Sequence, residues 1–427
     1  VHAAGKKAII YPYQEFDGTW EWKHFTTQKM QQPTLSDEQK QVLEHVVERF
    51  GEHPALLAWY LCDEPEGRDH SPQWYRELHE FMATHDPYHP CIVLNYGLQG
   101  INTYYEGADI LMPDCYPNYR VDALPRKPTW CTTLWAQTAA SLRPMWLVPQ
   151  AFPWHDDSDP DHVYRGPTFD ELRNQVYQAI AADGKGIICY SRSHWSWACH
   201  ELNMGVPAMG DELAALKDGL LAPTIPDGVS ATTDPGIEHF YVARKQAGAD
   251  TYIIAINAED TDAETPSQVQ ATLTVTGLGD GTLYVAGESR EVQVREGRLA
   301  DTFAPMAVHV YTTNRAAAQA VNVNATRAQI DEANAARLKP GNLVAIGRRW
   351  LDEYRKFDEH PPQNVTLTAT STVESYSTQN TAVRYLLLDG IIEKTDSRNS
   401  FWNSWQPRGN DTAPALTFEF PEPKTVG

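Results

Sequence analysis

The sequence predicts an α/β protein whose first half builds a parallel sheet and whose second half turns to antiparallel β-structure. Apolar strand-like runs alternate with amphipathic helical patterns as far as about residue 222, and such alternation requires parallel strands joined by right-handed crossovers. From about Thr224 the pattern becomes period-two runs separated by Gly-Ala-Asp and Gly-Asp-Gly, the signature of antiparallel hairpins. A parallel sheet of this kind closes into a barrel or stays open and doubly wound. No glycine-rich phosphate loop follows any strand, which disfavours a nucleotide-binding sheet.

In order along the chain, strands are expected at Ala8 to Tyr11, Leu56 to Cys62, Cys91 to Asn95, Ile110 to Met112, Met145 to Val148 and Gly186 to Tyr190. Helical patterns lie between most of them, notably Ser36 to Phe50, Pro72 to His85 and Thr168 to Asp183. Ser36 followed by Asp37-Glu38-Gln39, and Thr168 followed by Glu171, read as capping boxes. The hairpin region runs through HFYVARKQAGADTYIIAINAED, VQATLTVTGLGDGTLYVAG and AVHVYTTN. A helical segment, Ala325 to Phe357, follows with a break at Pro340-Gly341, and Pro361-Pro362 marks a linker.

Composition narrows the partners. A formal net charge of −21 repels phosphates and argues against nucleic acid or an anionic membrane, so a neutral substrate fits better. Thirteen Trp and 20 Tyr among 427 residues exceed what packing alone demands and suit surfaces that stack on sugars. The six cysteines, Cys62, Cys91, Cys115, Cys131, Cys189 and Cys199, show neither a CxxC pair nor a zinc pattern, and buried thiols are expected. No targeting peptide or membrane span is visible. The chain opens without methionine and stops inside an apparent β-region, so it reads as part of a longer protein.

The most informative segment is HPALLAWYLCDEPE, His53 to Glu66, where a buried strand runs straight into Asp63-Glu64-Pro65. A carboxyl held at such a strand end can protonate a leaving oxygen while its neighbour tunes the local charge, which is the chemistry of glycosidic bond cleavage. The run resembles the fourth strand of a clan A type glycoside hydrolase barrel, in which Asn-Glu-Pro carries the general acid/base; here Asp63 stands in place of that Asn. The resemblance implies a (β/α)8 TIM-type barrel. Counting back from Gly186 to Tyr190 as the eighth strand places Leu56 to Cys62 fourth and Ala8 to Tyr11 third, so the barrel is expected to lack its first two strands in this chain.

The strand ends then supply the site. Glu64 is the expected acid/base, and Asp63 orients substrate or holds Glu64 protonated by like-charge proximity. The sixth strand ends in Met112-Pro113-Asp114-Cys115-Tyr116, which brings Asp114 as second carboxylate. Tyr11, Tyr13, Tyr116, Gln150, Trp154, Tyr190 and Trp195 are the expected substrate-binding residues. The seventh strand departs from the family pattern, ending in Gln150 where clan A enzymes place a nucleophilic Glu, and an amide cannot form the usual ester. Three routes stay open. Asp114 serves as nucleophile or base, or Asp63-Glu64 works like the pair of substrate-assisted N-acetylhexosaminidases, or the domain binds sugar without cutting it. No His-x-His or His-Glu cluster stands at a strand end, so no metal and no cofactor is expected.

The expected organisation is a glycosidase-like barrel at 1–222, a β-sandwich at 223–316, a helical linker at 317–363 and a fourth segment at 364–427. That last segment resembles the start of a discoidin, or coagulation factor five/eight C-terminal type, module. The resemblance rests on Thr368 to Ser371, Asp389-Gly390, Trp402, Trp405 and Phe418 to Phe420, and implies carbohydrate binding. Together these readings give a secreted or cell-surface glycoside hydrolase acting on a poly- or oligosaccharide.

Overall fold

The computed structural model describes residues 1–13, 24–120, 123–152, 164–190, 200–260, 268–337, 366–369 and 416–419. Its first unit runs β1 (Ala8–Ile10), α1 (Thr27–Met30), α2 (Asp37–Phe50), β2 (Leu56–Asp63), α3 (Pro72–His85), β3 (Cys91–Asn95), α4 (Leu98–Tyr104), β4 (Ile110–Pro113), α5 (Cys131–Leu142), β5 (Trp146–Leu147), α6 (Phe169–Ala181), β6 (Gly186–Ile187) and α7 (His200–Leu220). Both anticipated capping boxes form: Ser36 and Gln39 close the start of α2, and Thr168 and Glu171 that of α6.

The six strands are parallel and lie in chain order. The first four form one ladder; a Leu111–Met145 bridge joins β4 to β5, and β5 pairs with β6. Their side chains alternate between two cores, as strand geometry demands. Trp59, Leu61, Cys91, Val93, Leu111 and Leu147 face the helices. Ala58, Ile92, Leu94, Ile110, Met112 and Val148 gather instead into one interior cluster, joined by Ile9, Tyr60, Trp146 and Ile188. Tyr190, just past β6, acts electrostatically on Tyr11, just past β1; in a flat sheet those strands would stand about 24 Å apart, so the sheet curls. The regular ladder at the sixth strand covers only Gly186–Ile187, shorter than the sequence predicts; beyond it a single bridge pairs Gln150 with Tyr190.

The second unit comprises β7 (Val229–Asp234), β8 (Phe240–Ala247), β9 (Asp250–Asn257), β10 (Val269–Val275), β11 (Gly281–Val285), β12 (Arg290–Val294), β13 (Arg298–Phe303) and β14 (Val308–Thr312). They make two antiparallel sheets, ordered β13-β10-β7 and β12-β11-β14-β9-β8, which share a core of Ile253, Leu273, Leu283, Leu299 and Tyr311. The larger sheet turns its other face to α6 and α7, where Ile254, Ile256 and Val310 meet Leu172, Val176 and Leu216. Two helices follow, α8 (Arg315–Gln319) and α9 (Val323–Arg337), and a short antiparallel pair, β15 (Thr366–Ala369) with β16 (Leu416–Glu419). Asp389-Gly390, Trp402 and Trp405 lie outside the described residues. Among the described residues no helix is long and apolar enough to cross a membrane. Cys62, Cys91 and Cys115 are buried free thiols, and Cys131 and Cys189 are partly buried ones.

Helix α6 is enclosed on every side, and its polar residues lock the two units together. Arg173, 1% exposed, grips Glu212 of α7 through Nε and Nη2, and its Nη1 donates to the Val308 carbonyl at 2.6 Å. Asn174 donates to the carbonyls of Asn257 and Met306, while Gln178 accepts from Thr133 and donates to Thr129. The Tyr177 hydroxyl also donates to Glu212. Removing one member of a buried ion pair strands the other, so Glu212→Ala should lower stability by on the order of 3–5 kcal/mol. The urea midpoint reads this directly, and the apolar double replacement Arg173→Met with Glu212→Leu should lose less than the single change.

Candidate active site

The end of β2 is shaped by three local devices. A register shift between Tyr60 and Cys62 marks a β-bulge that sends both Leu61 and Cys62 toward the helices. Asp63 is thereby brought beside Tyr60, whose hydroxyl donates to Asp63 Oδ1 at 2.7 Å. Glu64 then adopts a left-handed backbone, φ 51°, because the following Pro65 disfavours the right-handed helical alternative and the chain must turn at once into the 3-10 segment Pro65–Arg68. A non-glycine residue in that region costs about 1–3 kcal/mol and persists where its surroundings hold it.

Strand β3 brings the two carboxyls together. The Glu64 N–H donates to the Leu94 carbonyl and the Asp114 N–H to the Asn95 carbonyl, so the residues flank the end of β3 from opposite sides. Their backbones are two strand spacings apart, about 9.5 Å, and the side chains close that gap. The Glu64 and Asp114 carboxyls lie close enough for each to shift the other's pKa. Burial and the neighbouring charges of Glu64 and Asp63 push Asp114 well above the usual carboxylate range; the Tyr116 hydroxyl, bonded to it, pulls the other way. Glu64, half-buried, is raised for the same reasons, burial first and then Asp63. Two carboxylates in contact cannot both be ionised cheaply, so the pair shares a proton. One Asp114 oxygen, Oδ1, is buried without a protein partner.

Aromatic rings complete a closed circuit around this pair. Tyr116 meets Phe152 edge-on at 4.9 Å, and Phe152 meets Tyr190 at 5.6 Å. Tyr190, half exposed, is close enough to Tyr11 to raise its hydroxyl pKa, and Tyr11 packs on Tyr60 at 4.7 Å. Glu64, Asp63, Asp114, Tyr11, Tyr116 and Tyr190 therefore share one rim at the C-terminal ends of the strands. Tyr13 lies beneath it, enclosed, with its hydroxyl on the Leu61 carbonyl at 2.8 Å. Gln150 is fully buried; its Oε1 accepts from the Asn118 N–H at 2.8 Å and its Nε2 donates to the Phe152 carbonyl at 2.9 Å. As placed, it ties the end of β5 to two loops. Trp154 and Trp195 lie outside the described residues.

The sequence reading overlooked Tyr60, Phe152, Glu66 and Asn95. Tyr60 was readable in principle, since it lies two positions after Ala58 on the inward face of the same strand. Asn95, a polar residue ending an otherwise apolar strand, carried the same kind of signal. Phe152 sits in a loop and Glu66 in a short 3-10 segment, whose geometry no periodicity reports. Among the described residues no three His, Cys, Asp or Glu side chains converge to hold a metal ion.

The buried pair makes stability depend on pH with a definite sign. From the ordinary Asp range near pH 4 upward, the unfolded chain releases a proton that folded Asp114 retains, so the fold weakens as pH rises through that window. Asp114→Asn removes the ionisable group and keeps its shape. Its thermal midpoint should exceed that of the wild type at about pH 8, with the difference closing toward about pH 4; a constant difference would show that the pair does not hold the proton.

No protein-family model matches the chain, and no curated protein matches it. The solved structures it is similar to include a protein described as a glycoside hydrolase, at 12% identity and TM-score 0.44, covering 64% of this chain and 68% of that one. A GH30 endoxylanase from Clostridium papyrosolvens gives 14% identity and TM-score 0.37, covering 66% and 72%. A glycoside hydrolase family 5 protein from Bacteroides vulgatus gives 12% and 0.41, covering 64% and 65%. These neighbours are glycoside hydrolases, and at scores below 0.5 the likeness decides nothing about the chemistry of the site.

Proposed function

We propose that the protein is a glycoside hydrolase acting on a poly- or oligosaccharide, with Glu64 and Asp114 as a one-proton acid pair and Asp63 orienting the attacking group. The observation that carries this reading is the carboxyl contact itself, set in an aromatic-lined rim at the strand ends. Such a pair keeps a proton available at neutral pH. Glu64, the half-buried member, hands the pair's single proton to the leaving oxygen, drawing it from Asp114, the enclosed member, and the water that completes hydrolysis returns it. Tyr11, Tyr116 and Tyr190 offer ring faces to the sugar. The parallel unit is read as a (β/α)8 barrel represented by its third to eighth strands, in keeping with the curled sheet and its shared interior cluster.

The same contact bears on the attacking group. Double displacement needs the two carboxyls about 5–5.5 Å apart, and inversion about 6.5–9.5 Å, with the sugar or a water between them. Carboxyls close enough to shift one another's pKa leave little such room, which favours the route in which Asp63 holds the substrate's own amide for attack. A second reading, a carbohydrate-binding scaffold that no longer cuts, is favoured by Gln150, whose buried amide stands where the resemblance puts a nucleophile.

Glu64→Gln should keep the fold, judged by circular dichroism, and slow hydrolysis of glycosides with poor leaving groups by on the order of a hundredfold or more. Unchanged turnover removes Glu64 from the mechanism. Asp63→Asn should abolish cleavage of an aryl N-acetylglucosaminide, and the matching glucoside should not be cleaved by the wild type. Binding of oligosaccharide without turnover of any aryl glycoside would support the scaffold reading.

A further inference from the structure

We propose that Glu66 is a positioning residue that fixes the Glu64 turn and sets how tightly the Glu64–Asp114 pair holds its proton. The proposal rests on the hydrolase reading for its kinetic consequence, but not for its structural basis. Glu66 lies two residues beyond Glu64, in the 3-10 segment, and reaches to the end of β3. Its Oε2 accepts from Asn95 Nδ2 at 2.8 Å and its Oε1 from the Tyr96 N–H at 2.8 Å, and the Gly97 N–H adds a further bond. All three donors belong to the end of β3 and the entry to α4. The carboxylate therefore staples the turn after β2 to the strand between the two carboxyl-bearing ends.

The fit admits little else. A Cβ at Gly100 would lie 2.1 Å from Glu66 Oε1, so a glycine is needed there for the carboxylate to seat. The ring of Tyr96 packs on the next residue of the turn, 3.2 Å from where a Cβ on Gly67 would stand. The turn itself contains two left-handed residues, Glu64 and Asp69, and backbone that strained holds its shape only when clamped.

Charge gives the second half of the role. The groups facing Glu64 are Asp63 and Glu66, which disfavour its ionisation, and Asp114 and Arg68, which favour it. The groups facing Glu66 are Asn95, the backbone N–H groups of Tyr96, Gly97 and Glu66 itself, and Tyr104. Burial raises Glu66 above the usual carboxylate range while its hydrogen bonds oppose the rise. When ionised, it adds a negative charge near Glu64.

Glu66→Gln separates clamp from charge. The new amide keeps an acceptor for one donor, and Asn95, whose Oδ1 is buried without a partner, can turn its carboxamide over to receive the new N–H. The clamp survives and the charge is lost. In the Glu66→Gln protein the basic limb of kcat on an aryl glycoside should move down by about one pH unit, with KM nearly unchanged. Carbon-13 carboxyl titration of Glu64, assigned by the signal lost in Glu64→Gln, should move in the same direction. Glu66→Ala loses clamp and charge, and should reduce kcat further at every pH. An unmoved Glu64 titration in Glu66→Gln overturns the proposal. If the wild type cleaves no glycoside, the hydrolase reading fails, and the carboxyl titration alone decides the assignment of Glu66.

Discussion

Two carboxyls pressed together where water is scarce can carry one negative charge comfortably and two only at great cost. Much about the rim of this sheet follows from that constraint. Asp114 is enclosed, with only 2% of its surface exposed, and Glu64 is half-buried beside it. The difference in exposure gives the pair a direction: the enclosed member holds the proton, and the more open one faces arriving substrate. Phenol hydroxyls are the donors next to the carboxylates, Tyr60 on Asp63 and Tyr116 on Asp114, and both are pushed further from ionisation by burial and by those carboxylates. They stabilise charge without supplying a counter-ion that would collapse the pair into two simple carboxylates. Arg68 is exposed and donates to the Asp63 carbonyl rather than its carboxylate.

The sequence foretold the strands and helices that position this site more clearly than it foretold the contacts. Leu56–Asp63, Cys91–Asn95 and Ile110–Pro113 are readable because strands buried on both faces are continuous apolar runs. The two capping boxes are readable because their side chains act on backbone only three residues away. The adjacency of Glu64 and Asp114 depends on strand order, and neighbouring parallel strands in chain order put β2 and β4 on either side of β3. How closely the carboxyls meet was not legible, since it depends on a bulge at Leu61 and Cys62 and on a left-handed Glu64. A bulge leaves no periodic trace beyond one extra apolar residue. The place of Gln150 was likewise hidden: its position in the chain suggests a rim residue, while its partners, a loop N–H and a loop carbonyl, turn it into a brace.

The same three devices at the end of β2 explain why Asp63 and Glu64, adjacent in sequence, act in different settings. In an unbroken strand they would point to opposite faces. The bulge and the left-handed turn instead keep both near the rim, with Asp63 against Tyr60 and Glu64 reaching over the end of β3. Pro65, buried beneath, starts the 3-10 segment and adds rigidity at the position that must not relax. Strain at Glu64 is thus maintained by neighbours on three elements, β2, β3 and the start of α4, and none of them needs to be exposed to substrate.

The far wall of the site is less firmly built by backbone, because the ladder between β5 and β6 holds only two residue pairs. Side chains of α6 make up the difference. Gln175 accepts from the Gln150 N–H at 3.1 Å, and Gln150 in turn holds the Phe152 carbonyl, so Phe152 is fixed where it meets both Tyr116 and Tyr190. Helix α6 is itself held by Arg173 on Glu212 and Val308, and by Asn174 on the carbonyls of Asn257 and Met306. A chain of buried polar contacts thus runs from the antiparallel sheets, through α6, to the aromatic wall. Loosening it would free Phe152 and Tyr190 before it disturbed Glu64 or Asp114, whose positions depend on β2, β3 and β4. The antiparallel unit therefore supports ring placement in the site without contributing to it any of the described residues, and the acid pair keeps its geometry from the opposite half of the sheet.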